Sequence, residues 1–126
     1  MYFFIKPILL LILVYLCTFA EVKAQIKIVP QNYTSIQSAI DAAVNGDTIL
    51  VLRGRYFENI NFRGKGITLT SNFIFTQNVE DIDSTIIDGS QSVTPDTASC
   101  VLFISGEDSS AILQGFTITN VKGTAW

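Results

Sequence analysis

Hydrophobic residues are spaced in three ways along the chain, and each spacing predicts a different kind of segment. Near the amino end they form one uninterrupted run, residues 8–17. After residue 34 they return every three or four positions, as one face of a helix requires, at Ile36, Ala39, Ile40 and Ala43. Beyond Gly46 they alternate with polar residues in short stretches separated by turns, which is typical of β-strands.

Residues 1–24 have the features of a cleaved export signal. One basic residue, Lys6, precedes the apolar run, and Val22 and Ala24 supply suitable side chains at positions −3 and −1 of a leader-peptidase site. The apolar run has about ten residues, whereas a stable membrane span needs about 20. We therefore predict cleavage between Ala24 and Gln25, which leaves residues 25–126 as one domain without a transmembrane span. A retained membrane anchor is the alternative.

The helical stretch carries signals for its own two ends. Thr34 followed by Gln37 has the pattern of a capping box, in which the Thr34 hydroxyl accepts a hydrogen bond from the Gln37 amide. Gly46 supplies a left-handed residue of the kind that stops a helix. These signals predict one short amphipathic helix of about ten residues, with Thr34, Gln37 and Gly46 as its capping residues.

Short strands are predicted for most of the remaining chain, which is rich in β-branched residues. The strands cover residues 48–52, 58–62, 67–70, 85–87, 100–104, 111–113 and 116–119, and polar loops cover residues 71–84 and 90–98. Strands this short gain few hydrogen bonds in hairpins, but each can stack on an equivalent strand one coil later. We therefore favour an all-β fold, a parallel β-helix (solenoid) with a short N-terminal capping α-helix, over an antiparallel β-sandwich.

Several segments resemble a known family of proteins. The segments are residues 36–43, 46–49, 54–60, 85–89, 105–110 and 115–120. Together they resemble right-handed parallel β-helix proteins of the pectin-lyase-like superfamily, in particular its bacterial secreted and cell-surface members. That superfamily includes pectate lyases, polygalacturonases, pectin esterases and surface proteins, so the resemblance implies a right-handed coil and a polysaccharide partner. Its catalytic residues, which normally lie on later rungs, match no position of this chain.

The sequence provides about two rungs of such a coil. Solenoids need about three or more repeats and a cap at each end, and residues 121–126 do not have the pattern of a cap. We therefore expect an N-terminal fragment of a longer β-helix protein, truncated after about two rungs.

Charge and composition exclude several classes of function. The 126 residues contain 8 Lys and Arg, 11 Asp and Glu, and no histidine. The negative charge disfavours nucleic acid as a partner, and the lack of histidine excludes Ser–His–Asp catalysis and imidazole zinc sites. Removal of the leader leaves Cys100 without a disulfide partner in the chain, so we predict a buried apolar role for it. Lipidation at Cys17 is disfavoured because the bulky Leu16 precedes it.

Acidic residues in loops are the first candidates for chemistry. Residues 80–83, Glu-Asp-Ile-Asp, offer the oxygen ligands that calcium prefers. They lack the regular alternation of a dedicated calcium loop, so a solvated acidic loop is the favoured interpretation. Glu107 and Asp108 are expected to close a turn, and Asp88 is expected to form another. Calcium is thus the single cofactor that the sequence brings into consideration, and no metal ligand is assigned.

Basic and amide side chains are the remaining candidates. Arg53, Arg55, Arg63 and Lys65 lie in two successive turns and can pair with the carboxylates of a uronic acid polymer, although ordinary solvated turn residues have the same pattern. Asn120 can begin a ladder of stacked amides between rungs. The sequence assigns no catalytic residue and no substrate-binding residue.

These observations lead to one expected function and one main alternative. We expect a secreted or cell-surface β-helix scaffold of bacterial type that binds or displays carbohydrate, without enzymatic activity in residues 25–126. The alternative is the N-terminal part of a polysaccharide lyase or glycoside hydrolase whose active site lies downstream. A calcium-stabilised adhesion module is a third hypothesis.

Overall fold

A computed structural model describes residues 21–91 and 99–121 of the chain. Short strands are the main elements of these residues. The strands are β1 (Ile26–Val29), β2 (Thr48–Val51), β3 (Gly54–Phe57), β4 (Ile60–Asn61), β5 (Thr68–Ser71), β6 (Thr85–Asp88), β7 (Val101–Leu102), β8 (Ile112–Gln114) and β9 (Thr117–Thr119). The helices are α1 (Ile36–Ala42), α2 (Phe73–Thr76) and α3 (Val79–Asp83), and a 3₁₀ turn covers Gly89–Gln91.

Every strand pair among the described residues is parallel. One sheet has the order β1-β2-β5-β8, a second has the order β3-β6-β9, and the third pairs β4 with β7. Along the chain, β2, β3 and β4 belong to the three sheets in turn, β5, β6 and β7 repeat that order, and β8 and β9 return to the first two sheets. The antiparallel β-sandwich is therefore wrong, because hairpin-connected strands would run in opposite directions.

The register of the sheets aligns apolar side chains in columns. In the first sheet Ile49 pairs with Leu69 and Leu69 with Leu113. In the second sheet Tyr56 pairs with Ile87, which in turn pairs with Ile118. The core that results consists of Val29, Ile36, Ala39, Ile40, Ala43, Ile49, Val51, Ile60, Phe62, Ile67, Leu69, Ile87 and Cys100. Burial of these side chains between the sheets is the main favourable contribution to folding.

Helix α1 covers one side of this core. Its buried residues are Ile36, Ala39 and Ile40, and the helix contacts β1, β2 and β4. These are the residues that the three-to-four spacing placed on one face, so the prediction of an amphipathic helix here is confirmed. The helix ends at Ala42 and is therefore shorter than the predicted ten residues.

The predicted caps of this helix are wrong. Ser35, not Thr34, is the N-cap, because its backbone is extended and its hydroxyl accepts from the Ser38 N–H at 3.1 Å. The Ser38 hydroxyl in turn accepts from the Ser35 N–H at 3.3 Å, which completes a capping box one residue later than predicted. At the other end Ala43 is extended and caps the helix, while Gly46, at φ +92°, lies in the turn before β2.

Glu58 and Gln37 attach the start of α1 to the segment between β3 and β4. The Glu58 carboxylate accepts from the backbone N–H groups of Ile36 at 2.9 Å and Gln37 at 3.0 Å, two donors that the helix itself cannot satisfy. The Gln37 side chain donates to the Asn61 carbonyl at 3.2 Å and accepts from the Asn61 N–H at 2.8 Å. Gln37 therefore joins helix to strand instead of capping the helix.

Four elements were absent from the sequence prediction. Strand β1 contains Lys27, whose charge is neutralised by Asp47 at 2.8 Å, a partner distant in sequence. Strand β3 lies where residues 53–56 were predicted to form a turn. Helices α2 and α3 lie within the predicted polar loop 71–84, and each is too short to display a helical period in its sequence.

The prediction for Cys100 is confirmed, because it is buried with a relative exposure of 2%. Its sulfur lies 3.6 Å from the Ile87 carbonyl oxygen and 3.8 Å from that of Glu58. Burial raises the pKa of the Cys100 thiol, and the negative charge of Asp88 adds to this effect.

Several predictions concern residues outside the described ranges. These are residues 1–20 of the leader, which include Cys17, most of the predicted loop 90–98, and residues 122–126. Within residues 21–91 and 99–121, no helix combines the length and hydrophobicity that crossing a bilayer requires.

Candidate functional site

Strand β3 and the residue before it carry exposed side chains that include two cations and an aromatic ring. Exposure alternates along this segment, with Arg53, Arg55 and Phe57 exposed and Gly54 and Tyr56 less so. Arg55 and Phe57 are two positions apart on β3 and therefore lie on the same side of it, about 6–7 Å from each other, while Arg53 directly precedes the strand. We call Arg53, Arg55 and Phe57 the β3 row.

A buried carboxylate holds the first member of the row. The Nε of Arg53 donates to Oδ1 of Asp81 at 2.7 Å, and Asp81 is 1% exposed. Asp81 belongs to α3, and its other oxygen accepts from the hydroxyl of Thr76. These hydrogen bonds, from Thr76 and then from Arg53, lower the pKa of Asp81 and keep it ionised.

A second buried carboxylate holds Arg55 in a similar way. An Nη of Arg55 donates to Oδ2 of Asp88 at the end of β6. The same oxygen accepts from the Asn120 side chain at 2.9 Å, and the other oxygen accepts from the Ser90 N–H at 2.9 Å. Burial of Asp88 opposes ionisation, but the bonds from Ser90, Asn120 and Arg55 outweigh it and lower the pKa of Asp88.

These contacts orient the two guanidinium groups of the β3 row without covering them. The side chains of Arg53 and Arg55 are 51% and 46% exposed, whereas those of Asp81 and Asp88 are each 2% exposed. A guanidinium has five N–H donors in a planar fork that matches a carboxylate. Arginine side chains held in place lose less conformational entropy when they bind a ligand. The row is therefore suited to an anionic ligand.

The other two predicted basic residues lie at a different place. The Nε of Arg63 donates to Oδ1 of Asp41 at 2.8 Å, and the Nζ of Lys65 donates to the carbonyls of Ile40 at 2.7 Å and Asp41 at 2.8 Å. Both thus bind the C-terminal end of α1, where the last carbonyls lack helical partners and attract cations. The predicted basic group is therefore two separate pairs of residues.

The acidic segment 80–83 forms most of α3 and is not a solvated loop. Asp81 points to Arg53 and Thr76, as described above, while Glu80 and Asp83 are exposed. Among residues 21–91 and 99–121, His, Cys, Asp and Glu side chains do not gather in groups of three or more that could hold a metal ion.

Glu107 and Asp108 close a turn, which confirms their predicted role. Glu107 accepts from the N–H groups of Gly64 at 2.7 Å and Ser105 at 2.8 Å, and Asp108 accepts from the Ser110 N–H at 2.8 Å. The Gly64 bond is the largest cause of the lowered pKa of Glu107, and the Ser110 hydroxyl bond is the largest cause of that of Asp108.

Asn120 does not stack on another amide. It has a positive φ of 54°, and its side-chain nitrogen donates to Asp88. The side-chain nitrogen of Asn120 is therefore bound by the buried carboxylate of Asp88, and a ladder that begins at Asn120 and continues on a later rung stays a prediction. Asp88 itself, predicted as a turn former, does accept from the Ser90 N–H two residues later.

The described carboxyl groups with a shifted pKa are all shifted downward. They are Asp47, Asp81, Asp88, Glu107 and Asp108. A general acid in glycoside hydrolysis needs a carboxyl group whose pKa is raised so that it holds its proton near neutral pH. These five groups are ionised there, so their environment favours salt bridges and hydrogen bonding over proton donation.

The predicted cleavage residues lie just before the first strand. Residues 21–25 are exposed and belong to no helix or strand. The Gln25 carbonyl accepts from the Thr48 N–H at 2.9 Å, and the Gln25 N–H donates to Oδ1 of Asp47 at 2.8 Å. The bond between Ala24 and Gln25 therefore lies at the boundary between the exposed segment and the sheet.

Sequence reasoning missed Phe57 and the partners of both arginines. Phe57 is 48% exposed, and its alternation with Arg53 and Arg55 is the one signal that could have identified the row. The pairing of Arg53 with Asp81 and of Arg55 with Asp88 joins residues far apart in sequence, so no local pattern indicates it.

Comparison with known proteins found no matching family model, no matching curated protein and no matching solved structure.

Proposed function

We propose that this chain is a right-handed parallel β-helix whose β3 row binds an acidic polysaccharide of the polyuronate type. Two findings support the coil. All described strand pairs are parallel, and successive strands visit the three sheets in a repeating order. Parallel strands in one sheet require a crossover connection, and such connections are right-handed in about 98% of cases. A crystal structure in which β2, β3, β4 and β5 trace a left-handed turn would contradict this part of the proposal.

The observation that carries the binding proposal is the geometry of the β3 row. Two half-exposed guanidinium groups, one on β3 and one just before it, are each held by a buried carboxylate, so their N–H donors are held in position. Phe57 adds an exposed ring on the same side, which can pack against the apolar face of a sugar. A polymer with a carboxylate on each sugar matches this combination of exposed guanidinium N–H donors and apolar surface.

The binding test compares two pairs of substitutions. The double variant Arg53→Gln/Arg55→Gln should bind polygalacturonate about tenfold more weakly than the wild type, because two exposed ion pairs of about 0.7 kcal/mol each amount to about 1.4 kcal/mol. Arg63→Gln/Lys65→Gln removes the same charge at the end of α1 and should leave binding within about twofold. Isothermal titration calorimetry at two salt concentrations measures both, and circular dichroism checks that each variant is folded.

Two controls define what would contradict the proposal. A neutral polymer, such as amylose, should bind much more weakly than polygalacturonate. Equal loss of binding in the two double variants would indicate a general charge effect and would contradict a site at the β3 row. Phe57→Ala should also weaken binding, because the exposed ring would no longer contact the sugar.

We also propose that residues 25–126 bind polysaccharide without cleaving it. The alternative, the N-terminal part of a lyase or hydrolase, is tested in the same samples by measuring new reducing ends and unsaturated products. Depolymerisation of polygalacturonate by the purified chain would favour the enzyme. The addition of calcium or a chelator to the same assay tests the calcium-dependent hypothesis, for which we expect no change in binding or melting temperature.

Export to the cell surface or medium is the third part of the proposal, and the leader pattern of residues 1–24 supports it. Expression of the full chain in an exporting bacterium should yield a protein outside the cytoplasm that begins at Gln25. Intact mass determines the first residue, and retention of the uncleaved chain in the membrane fraction would favour the anchor instead.

A further inference from the structure

The amide nitrogen of Gln25 is placed against a buried carboxylate. It lies 2.8 Å from Oδ1 of Asp47, which is 1% exposed. The other oxygen, Oδ2, accepts from the Nζ of Lys27 at 2.8 Å and from the Val44 N–H at 3.0 Å. Asp47 thus has one oxygen occupied by a cation and a backbone donor, and one oxygen occupied by the Gln25 nitrogen.

We propose that Asp47 is the binding site for the α-ammonium group that cleavage after Ala24 creates on Gln25. The inference rests on the proposed export and cleavage, and goes beyond them by assigning a receptor for the new chain terminus. Cleavage adds a positive charge to the nitrogen that already contacts Oδ1. A hydrogen bond from a neutral amide to an ionised carboxylate thereby becomes an ammonium–carboxylate ion pair without movement of either group.

The surroundings keep this nitrogen in place after cleavage. The Gln25 carbonyl accepts from the Thr48 N–H at 2.9 Å, and β1 begins at the next residue in parallel register with β2. Residues 21–24 are exposed and lie outside the helices and strands, and the buried core residues all follow Gln25. Residues 25–126 therefore contain every described element and the complete described core, and removal of the leader leaves these contacts intact.

The segment that cleavage removes also covers the site. A cavity of about 430 Å³ lies between it and the end of α1. The residues that line this cavity include Glu21, Val22, Lys23, Ala42, Val44 and Asp47. The cavity is already partly open to solvent, and loss of residues 21–24 widens that opening, so water can solvate the remaining donors of the ammonium group. The new charge is therefore paired on one side and hydrated on the other.

One cation already shares the carboxylate of Asp47 with the Gln25 nitrogen. Lys27, from β1, faces it, and its Nζ also lies 3.4 Å from Oε1 of Gln25. Glu21 and Lys23 line the same cavity but leave with the leader, and the residues after α1 contribute the backbone N–H of Val44. Burial opposes ionisation of Asp47, but hydrogen bonds from Lys27, Val44 and Gln25 outweigh it and lower its pKa to about 2. Asp47 is therefore fully ionised when the α-ammonium forms.

The test compares two preparations of the chain that differ at the terminus. One begins with a free Gln25, and the other retains Val22–Lys23–Ala24 ahead of Gln25. At pH 6 the unfolding equilibrium constant of the free-Gln25 chain should be about tenfold lower, because an opposite charge at hydrogen-bond distance shifts a pKa by about one unit or more, and one unit corresponds to a factor of about ten. The pair raises the pKa of the α-amino group above its usual value of about 8. The extra stability of the free-Gln25 chain is therefore complete below about pH 8 and disappears as the pH rises through the raised pKa.

Two variants and a direct titration decide the outcome. In Asp47→Asn the difference in stability between the two preparations should vanish. It should persist in Asp41→Asn, which changes an exposed aspartate of α1. Equal stability of the two preparations at pH 6, or a difference that survives in Asp47→Asn, would overturn the assignment. If Asp47→Asn does not fold, ¹⁵N NMR titration of the wild-type Gln25 α-amine decides alone, since an ordinary α-amino pKa would overturn the inference.

The first residue of the exported protein is a separate measurement. An exported chain that begins elsewhere would contradict cleavage after Ala24, and with it the biological role of the site. The comparison of the two purified preparations would still measure whether Asp47 binds the ammonium of Gln25. Failure of the export proposal and failure of the Asp47 site are therefore distinguishable.

Discussion

Two sides of the core differ in burial although the same columns of side chains run through both. Ile87, on the middle strand of the second sheet, and Phe62, directly after β4, are 0% exposed. Ile118, on the last described strand of the second sheet, and Phe103, directly after β7, are 42% and 44% exposed. Ile118 is in direct register with Ile87, and the Phe103 ring stacks on Phe62 with centroids 4.3 Å apart. Burial in this fold therefore depends on whether another layer covers a residue, and not on which face it occupies.

The strongest test of this comparison is a matched pair of substitutions in one column. Ile87→Ala should lower the free energy of unfolding by about 2–5 kcal/mol, because it leaves a cavity in a closed part of the core. Ile118→Ala removes the same atoms from a half-exposed position and should cost less than about 1 kcal/mol. Urea denaturation measures both, and equal losses would contradict the dependence of burial on the covering layer.

The attachment of α1 should have the next largest effect. Glu58→Ala leaves the N–H groups of Ile36 and Gln37 without their acceptor and should lower the free energy of unfolding by about 1–3 kcal/mol. Glu80→Ala removes an exposed carboxylate from the start of α3 and should change it by less than about 0.5 kcal/mol. A Glu58→Ala variant as stable as the wild type would show that the helix does not need this contact.

Acid should weaken the α1 side through Asp47. Its pKa is lowered to about 2 in the folded chain, so its stabilising effect is present above the ordinary carboxyl pKa near 4 and is lost as the pH falls towards 2. Asp47→Asn cannot titrate, so the stability difference between the wild type and this variant should shrink as the pH decreases over that range. Denaturation series at several pH values measure this, and a difference independent of pH would contradict the role of the Asp47 charge.

The smallest expected effect distinguishes the two candidate caps of α1. Ser35→Ala removes the observed N-cap hydroxyl and should cost about 1 kcal/mol, since the Ser38 N–H loses its acceptor. Thr34→Ala alters an exposed residue outside the cap and should cost less than about 0.5 kcal/mol. The reverse order in urea denaturation would support the cap that the sequence suggested.

The sequence predicted the parts of the fold that depend on local spacing. The face of α1 and strands such as β2, β5 and β6 follow from alternation or helical period, because one side of each must be buried. Strand β1 was missed because Lys27 breaks its apolar pattern. The burial of the Lys27 charge depends on Asp47, which lies in the turn before β2. Strand β3 was missed because two arginines beside Gly54 resemble a turn.

The candidate site was predictable to a smaller degree. The sequence identified Arg53 and Arg55 as possible ligands of a carboxylate, but it grouped them with Arg63 and Lys65. What separates the two pairs is their partners, Asp81 and Asp88 for the first pair and the end of α1 for the second. These contacts arise from the stacking of strands that are distant in sequence, which no local pattern records.

The position of Cys100 has a practical consequence. Its thiol lies among the backbone carbonyls of Ile87 and Glu58, at a junction of the second and third sheets, and burial raises its pKa. A thiol of this kind reacts with alkylating reagents after the surrounding layers separate. The rate at which Cys100 is alkylated would therefore measure how often the second and third sheets separate locally.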